Sequence, residues 1–242
     1  MSFELKSTPR LYADHPFVVG RSVELSQEQT HYVRNVMRLE QGAMLRLFNG
    51  RDGEFTARIT DLRKKTCLVE LLEQVKSQPQ PLPRLHLLFA PIQKQRMDML
   101  VEKAVELGAT DLYPILTQYG QVRKIKEERT QAQIIEAAEQ SERLDLPVLH
   151  ELCDLKTTIA RWSADTPIYW AAERQDAPIL APHNSTNAFL IGPEGGFSDD
   201  ECAFLSAQDH IQSVSLGDRI LRAETASFYC LSLAQSGFKQ KS

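Results

Sequence analysis

The chain has little cysteine: four residues in 242, none in a C-x-x-C pair, which leaves nothing from which to build a zinc cage or a disulfide framework. Cys67, Cys153, Cys202 and Cys230 therefore read as small apolar residues of the interior, and none stands in a basic, helix-starting context that would make it a nucleophile. No apolar run reaches the roughly eighteen residues that a bilayer span needs, and the start MSFELKSTPR lacks the apolar segment of a secretory signal. The chain reads as soluble and cytosolic, with no membrane partner. Metal is not expected either, because no His/Asp/Glu cluster occurs at ligand spacing. Excess positive charge is also missing: 28 Lys and Arg face 32 Asp and Glu, a formal charge of -4. That balance argues against nucleic-acid binding by bulk electrostatics but permits a local basic face. Residues 1–78 hold 12 basic against 10 acidic residues, net +2, and the remainder 16 against 22, net -6, so the N-terminal third is the better dock for a polyanion.

What is present divides at PQPLP (79–83), three prolines in five positions, which disfavours both helix and central strand. The expected domains are 1–78 and 79–242. Before the break, FVVGRSVEL, AMLRLFNG and EFTARITDL alternate between turn residues, as in a small β-domain. One helix, SQEQTHYVRNVMRL, interrupts them, with Ser26 and Gln29 as its capping box. After the break the rhythm is that of βαβ units. RLHLLFA, DLYPIL, TPIYWAA, NAFLIG and IQSVSL read as strands. Between and after them come helices at QKQRMDMLVEKAVELG, at RTQAQIIEAAEQSERL, from Ser198, and at AETASFYCLSLAQSG. This predicts a mostly parallel α/β sheet covered on both faces.

Two glycine-bearing turns carry the functional argument. LIGPEGGFSDDE (Leu190–Glu201) and SLGDRILRAETA (Ser215–Ala226) each follow an apolar strand and precede a helix, so they share the sheet edge where open α/β sheets bind ligands. Glycine admits positive φ and close backbone approach, and Ser198 with Glu201 forms a second capping box. Neither turn matches the G-x-G-x-x-G dinucleotide fingerprint or the Walker loop, and no lysine follows the glycines. The expected ligand is held largely by backbone groups and is not a nucleoside triphosphate.

These two turns, together with MLVEKAVELGATDLYPI and AAEQSERLDLP, resemble the bacterial uridine N3-methyltransferases of small-subunit ribosomal RNA, often called RsmE. RLYAD and HYVRNVMRLEQGAMLRLFNGRDGEF resemble the same family's PUA-like RNA-binding domain, so the likeness spans nearly the whole chain. The resemblance implies an N-terminal PUA-like β-barrel, a C-terminal SPOUT α/β domain with a trefoil knot, S-adenosylmethionine as cofactor, ribosomal RNA or the small subunit as partner, and a homodimer. It places the cofactor against Leu190, Gly192, Gly195 and Gly196 of the first turn and Leu216, Gly217, Leu221, Thr225 and Ala226 of the second.

Methylation at uracil N3 needs help with the N3 proton, and Arg222 is the candidate to stabilise the developing imide anion or to hold a phosphate; its plain alternative is an ion pair with Glu224. Glu194 is assigned either to a donor near the cofactor or to fixing its own turn. Arg10, Arg34 and Arg38 are candidate phosphate contacts, the last two as helix neighbours four residues apart. The family pattern has an arginine near Tyr119, where this chain reads TQYGQVRK, so Arg123 is the candidate substitute. His31, followed by Tyr32 in place of a second histidine, reads as a packing or capping residue rather than a base. Two rival readings remain: a SPOUT enzyme for another nucleotide, and a non-catalytic ribosome-assembly module.

Overall fold

The computed structural model describes residues 7–79, 84–172, 177–181 and 187–237. The expected break at 79–83 lies outside these apart from Pro79. The chain forms two compact units, Met1–Pro81 with Ala138–Asp145, and Leu82–Ala137 with Leu146–Ser242. The segment 138–145, which the sequence reading gave to the second domain, thus belongs to the first unit.

The first unit is a five-stranded sheet in the order β1-β3-β4-β5-β2, from β1 (Arg10–Tyr12), β2 (Ser22–Leu25), β3 (Met44–Phe48), β4 (Glu54–Leu62) and β5 (Cys67–Lys76). All its pairings are antiparallel except β1 with β3. Period-two alternation sends Leu45 and Leu47 of β3 and Cys67, Val69 and Leu71 of β5 into one apolar core with Phe55 and Ile59. Three register shifts between β4 and β5 bend the sheet around that core. Among the described residues no pairing of β1 with β2 closes a barrel.

Ser26 and Gln29 form the expected capping box, and α1 (Gln27–His31) follows. The helix does not continue in α form: Tyr32–Val36 is a π-helical turn, and Arg38 has φ +54°. Arg34 and Arg38 are both exposed, but the four-residue α spacing that aligned them is absent.

The other side of β1 and β3 buries charge. Arg10 is 7% exposed; its Nε donates to Glu54 Oε2 (2.5 Å), Nη1 to the Ala138 carbonyl (2.8 Å) and Nη2 to that of Arg143 (2.6 Å), and the guanidinium lies 3.7 Å from the Phe48 ring centroid. Arg46 joins Glu54 (3.2 Å) to Glu142 (2.9 Å), which Lys76 also meets at 2.9 Å. Lys76 and Arg46 hold the Glu142 carboxyl down at about 2. The phosphate contact expected of Arg10 is therefore corrected: each of its guanidinium nitrogens already serves Glu54 or a carbonyl, and the side chain is buried.

The second unit is a parallel sheet of seven strands in the order β12-β10-β11-β6-β7-β8, with β9 on the far half of β7. The strands are β6 (Leu85–Phe89), β7 (Asp111–Leu116), β8 (Val148–Leu149), β9 (Cys153–Asp154), β10 (Ile168–Ala171), β11 (Asn187–Ile191) and β12 (Ile211–Val214). Every residue of β6 and β11 is buried, as central strands covered on both faces require. The helices are α2 (Lys94–Glu106), α3 (Glu127–Gln140), α4 (Leu155–Ala160), α5 (Asp199–Ser206) and α6 (Ala223–Gly237). Helix α6 packs on β6 and β11 and against α2, while Leu155 and Ile159 of α4 and Leu205 of α5 close over Leu88, Trp170 and Leu190. Strand order reverses between β6 and β11, so their carboxyl ends form the crevice that such sheets use for ligands.

Candidate functional site

Both glycine turns lie at that carboxyl edge. In the first, Leu190 is fully buried in β11 and the chain turns immediately after Ile191. The Gly196 amide donates to the Pro193 carbonyl (2.9 Å) and closes the turn. A Cβ on Gly192 would lie 2.7 Å from the Phe197 ring, so that ring would have to shift, and one on Gly195 would lie a tight 3.1 Å from Tyr119 Cβ. Gly196 differs: its φ of +72° requires glycine, yet nothing stands within 4 Å of where a Cβ would be. Ser198 caps α5 as expected, in a reciprocal box with Glu201. Glu201 also accepts from the Gln118 amide (2.8 Å), which ties the loop after β7 to this turn.

The second turn leaves β12 at Val214. Ser215 Oγ accepts from the Gly217 amide (3.2 Å), and Gly217 sits at φ +106° facing open space. Leu216 and Leu221 are half-buried, Thr225 is exposed and Ala226 is buried in the first turns of α6.

One residue that the sequence reading did not single out joins the two turns. Arg96, in the first turn of α2, clasps Glu224 with Nε (2.8 Å to Oε1) and Nη2, while its Nη1 reaches Glu194. The Glu224 side chain is only 6% exposed, and hydrogen bonding from Arg96 holds its carboxyl below the ordinary range. Glu194 is thus fixed by an arginine rather than by its own turn's amides. Glu224 is occupied by Arg96, and Arg222 stays exposed at the mouth of the turn. The available sign in the sequence was an electrostatic mismatch: the first turn of α2 carries an arginine and no acid, against the helix dipole.

A third wall comes from the loop after β7. Thr117 is 3% exposed and its hydroxyl has no hydrogen-bond partner. Tyr119 abuts Gly195, and Arg123 is exposed with Nη2 donating to the Gln118 carbonyl at 3.2 Å. Leu190, Gly192, Gly195, Gly196, Leu216, Gly217, Leu221, Thr225 and Ala226 are therefore gathered on one edge, together with Arg222. Arg34 and Arg38 belong to the first unit. Cys67 and Cys230 are buried, whereas Cys153 and Cys202 are only half-buried, so the expectation of four interior thiols holds for two. Among the described residues no group of three or more His, Cys, Asp or Glu is placed to hold a metal, and no helix is long and apolar enough to cross a membrane.

A parallel α/β unit with two glycine turns at its carboxyl edge, joined to a small β unit, defines the class. Residues 78–235 match the family model of the RNA methyltransferase domain, and residues 25–72 match that of the RNA methyltransferase PUA domain. A ribosomal RNA small subunit methyltransferase E from Rickettsia conorii is 36% identical over 223 residues, 90% of this chain and 91% of the relative. The structure of the enzyme of that name from Neisseria gonorrhoeae, bound to S-adenosylmethionine, superposes with a TM-score of 0.86 at 29% identity, covering 96% of this chain and 98% of that one. A Legionella pneumophila protein described as a methyltransferase, solved with the same cofactor, gives 0.83 at 33% identity, covering 95% and 97%. This chain belongs to the ribosomal RNA small subunit methyltransferase E family.

Proposed function

We propose that the chain is an S-adenosylmethionine-dependent methyltransferase of small-subunit ribosomal RNA and that it acts on uridine N3. The observation that carries the reading is the pair of glycine turns at one sheet edge, clasped by Arg96. Their shape fits the cofactor: Gly196 and Gly217 have positive φ and open space beside them, and Gly192 and Gly195 let the backbone lie close to Phe197 and Tyr119. Leu190 and the three glycines of the first turn, with Leu216, Gly217, Leu221, Thr225 and Ala226, hold S-adenosylmethionine mainly through backbone groups. When bound, the cofactor supplies a methyl group on a sulfonium, ready for in-line displacement by a nucleophile.

The residues then have to position uracil and manage its N3 proton. The exposed guanidinium of Arg222 stabilises the negative charge that spreads over the imide oxygens as the N3 proton passes to solvent water. Arg34, Arg38 and Arg123, all exposed, contact phosphates. We assign residues 1–78 to RNA docking and 79–242, apart from the segment 138–145, to a knotted SPOUT-class catalytic domain that works as a homodimer in the cytoplasm.

The test is transfer of labelled methyl to small ribosomal subunits that lack native methylation, followed by nucleoside analysis. N3-methyluridine is the expected product. Another methylated nucleoside would keep methyl transfer and refute the uridine assignment, whereas binding to the subunit without transfer would favour an assembly module.

A further inference from the structure

The opposite edge of the second unit's sheet holds a cavity with its own chemistry. The glycine turns follow the carboxyl ends of β11 and β12; this cavity gathers around the amino ends of β6 and β7, where His86 and Asp111 are register partners. Its volume is about 470 Å³, inside the range of roughly 300–1,000 Å³ typical of small-molecule sites. The lining includes His86, Tyr113, His150, Trp162, Arg161 and Ser163.

Asp111 organises the floor. It is fully buried and accepts from Arg84 Nε (3.0 Å), Thr110 Oγ1 (2.7 Å) and His150 Nε2 (2.9 Å). His86 Nδ1 lies 3.3 Å from its other oxygen, outside hydrogen-bonding geometry, so this buried nitrogen is left without a partner on a residue only 7% exposed. Burial keeps the His86 imidazole neutral by pushing its pKa below the ordinary value. His150 spends Nε2 on Asp111, whereas the buried Nδ1 of His86 has no partner.

The rings also build a stacking platform. Tyr113 and His150 are parallel, with centroids 3.7 Å apart, and Trp162 stands edge-on to Tyr113 (5.1 Å) and to His86 (5.2 Å). The Trp162 indole N–H is spent on the Thr166 carbonyl at 2.9 Å, so the ring offers its apolar surface. Arg161 is exposed beside this platform.

We propose that this cavity is a second binding site, for a nucleotide: the base lies against the rings with its polar edge towards the histidines, and Arg161 takes the phosphate. Flat aromatic walls select a planar guest, and the histidines among them favour one with a polar edge. A nucleobase offers both, and a base flipped out of RNA or a free mononucleotide presents the same chemistry. The site is separate from the methyl-transfer turns and does not depend on the reading given to them.

Trp162 is the reporter, because the only other tryptophan, Trp170, is 2% exposed in the apolar core. Cytidine 5′-monophosphate is titrated into the full chain, avoiding adenine compounds that resemble the cofactor. Saturable quenching by the nucleotide but not by ribose 5-phosphate is expected. Arg161→Ala weakens the nucleotide about tenfold and leaves cytidine unchanged, as loss of one charge-assisted contact requires. No saturable change at millimolar nucleotide, equal quenching by ribose 5-phosphate, or an Arg161→Ala chain that binds the nucleotide normally would overturn the site. A short cytosine-rich RNA measured beside the mononucleotide separates the sources: tighter RNA means a flipped base, tighter mononucleotide a free ligand, and either upholds the cavity as a nucleotide site. Methyl transfer by Arg161→Ala is read in parallel, so failure of the uridine assignment and failure of this proposal give different patterns.

Discussion

Replacing Arg96 by methionine keeps an unbranched apolar stem and removes the clasp between the two turns. Glu224 would then be left with its side chain 6% exposed and no bidentate partner, while Glu194, at 47%, would rehydrate at little cost. Removing one partner of a buried pair costs about 3–5 kcal/mol. The Arg96 side chain is itself 26% exposed, so solvent screens part of this loss and roughly 2–3 kcal/mol is expected. At about 2–4 °C per kcal/mol for a chain of this size, that is a fall of roughly 4–12 °C in melting temperature.

The penalty comes from a stranded carboxylate, so Arg96→Met with Glu224→Gln should be at least as stable as Arg96→Met alone, and the double-mutant cycle should show coupling above about 1 kcal/mol. Arg96→Lys, which cannot form the fork, should fall between. The pH dependence has a fixed sign. Arg96 depresses the folded-state pKa of Glu224, so its stabilisation is complete above the unfolded value of about 4.3 and is lost as pH falls through the lower folded value. The advantage of the parent chain over Arg96→Met should therefore shrink below about pH 4. Melting of Arg96→Met within 1 °C or so of the parent, or strictly additive effects in the cycle, would refute this reasoning.

Arg10→Met should lower the urea midpoint by the equivalent of about 3–5 kcal/mol, because Glu54 is fully buried and Arg10 also supports three carbonyls; an unchanged midpoint would contradict its structural role. Glu142→Gln should cost under about 1 kcal/mol at neutral pH, since that side chain is 46% exposed. That cost should disappear as pH is lowered from the unfolded value near 4.3 towards 2, because the folded pKa is depressed to about 2. Titration of the native chain with a thiol reagent should label Cys153 and Cys202 ahead of Cys67 and Cys230. Burial pushes the Cys67 thiol up to about 11 and that of Cys230 higher still; labelling of either at the rate of Cys153 would show that the core opens.

Elements with strong local signals were legible from the sequence. EFTARITDL is β4 residue for residue, DLYPIL is β7, and the capping boxes at Ser26 and Ser198 form as read, because each depends on near neighbours. Strands β8 and β9, two residues each, and the short helix α4 carry too little periodicity to be seen. The π-helical turn at Tyr32–Val36 differs from an α-helix in hydrogen-bond register rather than in apolar pattern, so the sequence reading extended the helix through it. Arg10 was misread for a related reason: an arginine beside a short strand looks exposed until Glu54, 44 residues away, and the carbonyls at 138–143 are brought to it. Arg96 went unnoticed because its partners lie 98 and 128 residues downstream. The glycine turns were the exception, since steric need is written in the residue type itself.

The measurement that tests the central claim most directly is calorimetric titration of S-adenosylmethionine into the parent chain and into Gly196→Arg, with melting curves to show that both are folded. Nothing lies within 4 Å of where a Cβ on Gly196 would be, so an arginine there does not meet the core, at a backbone cost of about 1–2 kcal/mol. The account predicts saturable binding to the parent chain and its loss in a folded Gly196→Arg chain. Equal binding by the two would place the cofactor elsewhere and contradict the account.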